Sequence, residues 1–519
     1  MAKSRSLETF YLIKSMTKAE KRHFKLQFDQ KNGLDKPLFI RLFDALDSMK
    51  NYKEMTLRNR LSDLSNRQII NLNRHLKTAI LKSLRQVHIN RRTDIYISEH
   101  IDYARILYSK GHYLQSLRIL EKLLPISIKA EESVLQLEIM EFEKYIEARH
   151  ITRSRGVKDK MERLIERSAR MAGELKTTVE LSNLSLDIHG YYIQRGFIND
   201  ESDLIEIREH FTKELSKIDT AQLKFNDEVY LAQAYLWYNY ITLNVPGVYR
   251  YALKWKGLFD NHKQMKLKDS STYMRGMHYL LLSCFYSQQR EKHGQFLNEF
   301  SRFLKKNEDN LPVTSQMLSF FYYKNAVINS HLLKGDYKGA IKHESSILNG
   351  IEHYENLIDV HRSLILYYKL AWLHFGVESY DRALELLNLI IHRKTKYLRR
   401  ELQSYALLLH LVIHLQMGHY ALSRHLLRSV RRGFQRSSLV NPTIDQILTI
   451  LQNWIQEPSK RTMLASRLHH SLSSLDKNSF DWRSFTYFNF IDWSAALANS
   501  TTIEEATKKR IQRTASKAV

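Results

Sequence analysis

A chain of 519 residues can bury a sizeable core and form more than one domain. With 16 Gly and 6 Pro it lacks the turn residues of an all-β fold, and its single cysteine, Cys284, excludes an internal disulfide or a cysteine zinc cluster. The net charge of +25 is unevenly placed: residues 1–92 carry +13, residues 93–390 balance to zero, residues 391–440 carry +9 and the remainder +3.

The opening MAKSRSLETFYLIKSM has no apolar stretch and no small-residue cleavage site, so it does not read as a secretory leader. Thr17 and Glu20 form the pattern of a capping box that starts a helix through KRHFKLQF. Asp35-Lys-Pro37 starts the next helix, with Phe39, Leu42, Phe43 and Leu46 on one face. A short helix is expected near MTLRNRLSDL. A long one follows from Arg67 to Val87, striped by Ile69, Leu72, Leu76, Ile80, Leu84 and Val87. Residues 1–95 thus read as a small basic helical module.

From residue 96 onward one signature recurs at helix starts: a small or turn residue, then Tyr two positions on, then a small residue three further. It occurs at Gly111, Tyr113 and Ser116, and at Gly247, Tyr249 and Ala252. It returns at Gly335, Tyr337 and Ala340, at Glu378, Tyr380 and Ala383, and at Gly418, Tyr420 and Ser423. The spacing is about 40–44 residues, and a member without Tyr is expected in SQQREKHGQF near residue 293. Each signature fits a helical hairpin. Gly lets the chain reverse with positive φ, Tyr packs into the hairpin with its hydroxyl at the rim, and the small residue lets the two helices approach. Regular repetition of such hairpins predicts an all-α fold, an α-solenoid of stacked antiparallel helix pairs over 96–475.

This pattern resembles the tetratricopeptide repeat. The resemblance is carried by Gly335, Tyr337 and Ala340, and by Tyr380, Ala383, Leu387 and Ile390. The helix preceding that second set adds Tyr367, Leu370, Ala371 and His374. It covers about residues 96–472 and implies eight or nine helix pairs; the longer period and the missing helix-ending Pro depart from the family pattern. It implies an architecture and no particular ligand. MTKAEKRHFKLQF, NLNRHLKTAILKSLR and YFNFIDW together also resemble a family of long helical-repeat proteins from Bacteroidetes-type bacteria, which again implies fold and not function.

At the far end Phe480, Trp482, Phe485, Tyr487, Phe488, Phe490 and Trp493 are expected to form an aromatic cap, over 476–497, that covers the open end of the last repeat. The basic tail 498–519 is expected to fray.

Reaction chemistry is not apparent. His410 and His414 are i, i+4 on one helix and His419 and His425 follow, but the stretch holds no acidic or thiol partner, so no metal is expected. There is no G-x-x-x-x-G-K-[ST], no G-x-G-x-x-G and no G-x-S-x-G. Cys284 sits in LLLSCFYSQQ as a core thiol, and Glu504 and Glu505 lie in a polar segment. A non-enzymatic chain without cofactors is expected. The most apolar runs, SLILYYKLAWLHF and YALLLHLVIHL, are broken by Lys or His and fall short of the ~20 apolar residues of a membrane span, so a soluble cytoplasmic protein is expected.

What remains is charge. Arg424, Arg428, Arg431, Arg432 and Arg436 fall within an arc of about 140° on one helix, shared with His425 and opposite Leu422, Leu426, Leu427, Val430 and Phe434. Arg393, Lys394, Lys396, Arg399 and Arg400 lie just upstream, and Arg74, Lys77, Lys82, Arg85, Arg91 and Arg92 flank the stripe of the long N-terminal helix. Soluble faces usually mix both signs, whereas residues 391–440 hold ten basic residues against one acidic. An anionic partner is therefore expected, with RNA or a ribonucleoprotein ahead of DNA, and a protein or peptide in the solenoid groove. An adaptor for an acidic protein is the first alternative. A DNA-binding regulator using a helix-turn-helix within 37–92 is the second.

Overall fold

The structure is a computed structural model. It describes residues 2–29, 37–150, 159–198, 200–355, 357, 359–393, 400–437, 439–475, 485 and 487–516. Among these there is no strand, and helices follow one another in neighbouring pairs: the fold is an all-α solenoid. The chain divides into two compact units, 1–177 and 178–519, with the boundary inside the helix Lys160–Arg195.

The first unit begins with helices Ala2–Ser15, Lys18–Asp29 and Leu38–Asp47 gathered on the long helix Asn66–His88, and Glu54–Arg60 packs on Leu38–Asp47. The local signals act as expected. The Thr17 amide donates to Glu20 Oε2 at 2.7 Å while the Glu20 amide donates to Thr17 Oγ1 at 3.2 Å, so the capping box is closed in both directions. A second box, Ser65 with Gln68, starts the long helix. Phe10, Ile13, Phe24, Phe43, Leu46, Leu76 and Ile80 are buried together. Asp35 lies outside the described residues, and Pro37 stands at the start of its helix. The hairpin Thr93–Ser109 and Tyr113–Lys129 follows, then Ser133–Arg149.

In the second unit the hairpins are Phe225–Ile241 with Val245–Asn261, Ser270–Tyr286 with Arg290–Asn307, Val360–Gly376 with Tyr380–Ile391, and Arg400–Gln416 with Tyr420–Arg436. Between the second and third of these lie Val313–Lys334, Tyr337–Ile341 and Glu344–His353; Pro442–Gln456 and Arg461–Ser473 follow the fourth. The small residue of every signature, Ser116, Ala252, Ala340, Ala383 and Ser423, is 0 % exposed, as close helix approach requires.

The turns refine the expectation. Gly111, Gly335 and Gly418 take φ of +81°, +65° and +79°, the left-handed conformation that favours glycine. Glu378 occupies the same conformation at +63°, and Gln288 at +57° supplies the break in the member that lacks Tyr. The Gly247 signature is different. There the reversing residue is Leu243 at φ +57°, Asn244 caps the helix by accepting from the Gly247 amide at 3.2 Å, and Gly247 is helical. Its role is room, because a Cβ there would collide with the Asn239 side chain.

Tyr337 corrects the expectation of a rim hydroxyl. It is buried, and its hydroxyl hydrogen-bonds with Thr507 of the C-terminal helix. Its ring lies where a side chain at Gly376 would go. Gly376→Ala is therefore expected to cost about 1–3 kcal/mol by overpacking, measured as a shift in urea midpoint; a neutral substitution would show that the Tyr337 ring is free to move.

The end of the chain does more than cover the last pair. Helix Phe490–Ala498 packs on Arg461–Ser473, and Ile503–Ser516 packs on Phe490–Ala498. Phe488 also reaches back to Trp372 at 5.7 Å and Phe375 at 5.8 Å between ring centroids, and Tyr487 stacks on Tyr405 at 4.3 Å. Phe480 and Trp482 lie outside the described residues. The tail expected to fray is helical to Ser516, because Ile503, Ala506 and Thr507 recur at three- and four-residue spacing and are buried. Arg510 holds buried Asp492 by two bonds of 2.8 and 3.0 Å and approaches Gln288 at 3.5 Å. Cys284 is buried, and burial pushes its thiol up to about 11, so it is a core thiol.

Candidate anion-binding face

Helix Tyr420–Arg436 has the most one-sided polarity of the signature helices. Ser423, Leu427, Val430 and Phe434 are buried against the neighbouring helices Arg400–Gln416 and Pro442–Gln456, with Gly433 set close to Leu407 and Ser404. That packing fixes the opposite face outward. Arg424, Arg428, Arg431, Arg432 and Arg436 are all exposed.

Their hydrogen-bond partners are not carboxylates. Arg428 Nη2 lies 2.6 Å from His425 Nδ1, Arg431 Nη2 donates to Gln452 Oε1 at 2.6 Å, and Arg432 Nη2 reaches Ser429 Oγ at 3.4 Å. None of the five forms an ion pair among the described residues. Some other cations of the same unit are matched: Arg382 bridges Glu344 and Glu385, Lys256 bridges Asp260 and Glu299, and Arg510 holds Asp492. The arginine face therefore presents its charge to solvent without internal compensation. Leu422, placed with the apolar arc by the helical wheel, is instead 44 % exposed beside these arginines, because no neighbouring helix covers that edge.

The other basic candidates are placed differently. Arg393 is exposed and lines a cleft of about 460 Å³ whose other charged lining residues are Glu352, Glu355, Arg382 and Glu385. Arg400 is exposed at the start of its helix; Lys394, Lys396 and Arg399 lie outside the described residues. The N-terminal residues belong to the first unit. There Lys77 pairs with Glu8 at 2.8 Å, Arg92 with Asp94 at 2.6 Å, and Arg85 lies 3.8 Å from both Glu99 and Asp102. Arg74, Lys82 and Arg91 are exposed and form no ion pair among the described residues.

The histidines of this region form a chain of neighbours. The His410 and His414 rings are 4.7 Å apart, and His414 Nδ1 lies 3.0 Å from His419 Nδ1. Burial, then the neighbouring histidines, pull His410 down to about 4, and burial with His419 lowers His414, so both are neutral at pH 7. Among the described residues no three His, Cys, Asp or Glu side chains come together as a metal site would need. No helix among those residues is long and apolar enough to cross a membrane.

Arg275 and Lys369 stand outside every motif of the sequence. The available signal was a lysine inside the apolar run SLILYYKLAWLHF, read there merely as an interruption. Compared with models of known protein families, with curated proteins and with solved structures, the chain matches none.

Proposed function

We propose that this chain is a non-enzymatic helical-repeat scaffold of the tetratricopeptide-like kind, acting in the cytoplasm, that docks on an anionic partner through helix Tyr420–Arg436. RNA or a ribonucleoprotein surface is the partner class, and the neutral middle of the solenoid takes a protein or peptide in its groove. The observation that carries the reading is the set of five exposed arginines on one helix face, none of them in an ion pair among the described residues. An arginine fork matches phosphate oxygens in two parallel bonds. Uncompensated like charges on one face repel each other, and a polyanion relieves that repulsion while releasing counterions. Recognition would be by charge and shape, since the sequence holds no base-reading motif.

The rival is an adaptor for an acidic protein. The two readings separate in a competition. Fluorescein-labelled single-stranded RNA is titrated with the full chain, and unlabelled duplex DNA or poly-glutamate is added. The proposal expects RNA to bind and poly-glutamate to compete poorly at matched charge. Equal or better competition by poly-glutamate would overturn it in favour of the acidic-protein adaptor, and preferential competition by duplex DNA would favour the regulator.

A further inference from the structure

Polar atoms that the fold buries without partners gather with a lysine on three helices of the second unit. They are Arg275 Nε and His278 Nδ1 on Ser270–Tyr286 and Asn329 Nδ2 on Val313–Lys334, and the lysine is Lys369 on Val360–Gly376. The three helices are neighbours, the middle one packing on both of the others. His278 stacks on Tyr322 with ring centroids 4.5 Å apart and planes 18° from parallel. Lys369 donates to Asn329 Oδ1, and its ammonium stands 5.4 Å over the Phe285 ring. One side chain from each helix is thus tied into the same tract. Arg275, His278 and Lys369 keep part of their surface open to solvent.

The tract is cationic. Arg275, Arg362 and Lys369 all bear on His278, which burial and these charges hold at about 3; burial, Lys369 and Lys334 hold His293 of the helix Arg290–Asn307 at about 4. Arg362 has its own partner in Asp359, but Arg275 forms no ion pair among the described residues. Burial alone pulls Lys369 down to about 7, with no carboxylate acting on it. A partly buried cation costs free energy unless it is paired, and so does each orphaned donor. An entering anion offsets both costs at once.

We propose that the tract formed by Arg275, His278, Asn329 and Lys369 binds the phosphate group of a small phosphorylated molecule. The donors come from three helices, which suits a tetrahedral oxyanion better than a planar carboxylate. The Tyr322 ring, stacked on His278, with Tyr279 beside it, gives the body of the ligand an aromatic surface. The site is separate from the arginine face and stands or falls without it.

The test uses the full chain titrated with phenyl phosphate, inorganic phosphate and sulfate, read by calorimetry and thermal unfolding. Saturable binding is expected in the wild type and in a chain carrying Arg424→Gln, Arg428→Gln, Arg431→Gln, Arg432→Gln and Arg436→Gln together. Affinity is expected to fall by at least about tenfold in Arg275→Gln and in Lys369→Met. Sulfate keeps its charge across neutral pH, so its binding isolates the protein's own titration. As Lys369 loses its proton above pH 7, sulfate affinity is expected to fall by up to about tenfold per pH unit, with His278 and His293 neutral throughout. In Lys369→Met that pH dependence disappears, an outcome that a structural role for Lys369 would not produce. Sulfate also stabilises proteins by general exclusion, but that effect does not saturate and is common to all variants. Binding unchanged in both single variants, or no saturable binding of any of the three anions, would overturn the proposal. Binding of a phosphoserine peptide with none of phenyl phosphate would overturn the small-molecule assignment.

Discussion

Lys160→Met is expected to destabilise the first unit by about 3–5 kcal/mol at neutral pH. Lys160 Nζ lies 3.0 Å from Glu121, 3.3 Å from Glu143 and 3.4 Å from Glu147. Glu147 is fully buried and the Glu143 side chain is 6 % exposed, so the lysine is a cation that offsets two carboxylates inside the helical stack. Burial already holds Glu143 above the usual carboxylate range, even with Lys160 beside it. The sign follows. A carboxylate whose folded pKa exceeds its unfolded value takes up protons more readily when folded, so its contribution worsens as pH rises through that interval. Without Lys160 Glu143 moves further in the same direction. The deficit of the variant should therefore shrink when urea unfolding is repeated at about pH 5 instead of about pH 7.5. A deficit below about 1 kcal/mol, or one that grows on acidification, would show that the lysine is not the compensating charge.

Trp493→Ala is expected to cost about 3–5 kcal/mol. Trp493 is 1 % exposed and sits among Phe488 at 6.2 Å and Phe490 at 6.3 Å, while Phe488 continues the contact to Trp372 and Phe375. The C-terminal aromatics thus bind the last helices to a hairpin more than a hundred residues earlier. Trp493→Phe should recover much of the loss by filling most of the cavity. The check is a denaturation series on both variants; equal, small losses would mean that the segment is a detachable lid rather than part of the core.

How much of this was legible depended on how local its cause is. The Thr17–Glu20 box forms within four residues and was read directly. The small residues of the five signatures were legible because helix contact tolerates little else there. Gly247 misled, because a glycine does not announce whether it supplies positive φ or space, and Leu243 and Asn244 had already turned the chain. Leu422 misled because a helical wheel knows the face but not which edge a neighbouring helix covers. The tail was misjudged because its partners, Asp492 and Gln288, are distant in sequence or in a separate hairpin. The arginine face was legible, since burial of Leu427, Val430 and Phe434 fixes the opposite residues outward. Lys369 was not, since its significance arises from Asn329 and Arg275 on other helices.

The first measurement to make is RNA affinity by fluorescence polarisation across a salt series, for the wild type and for the chain with Arg424, Arg428, Arg431, Arg432 and Arg436 all changed to Gln. If the five arginines lie on phosphates, the wild type binds tightly at low salt and weakens steeply as salt rises. The slope of log affinity against log salt should then drop by about 3–4 in the variant, at roughly 0.7 per lost contact with a single strand. Identical slopes in the two proteins, or no binding at low salt, would remove this helix from nucleic-acid recognition.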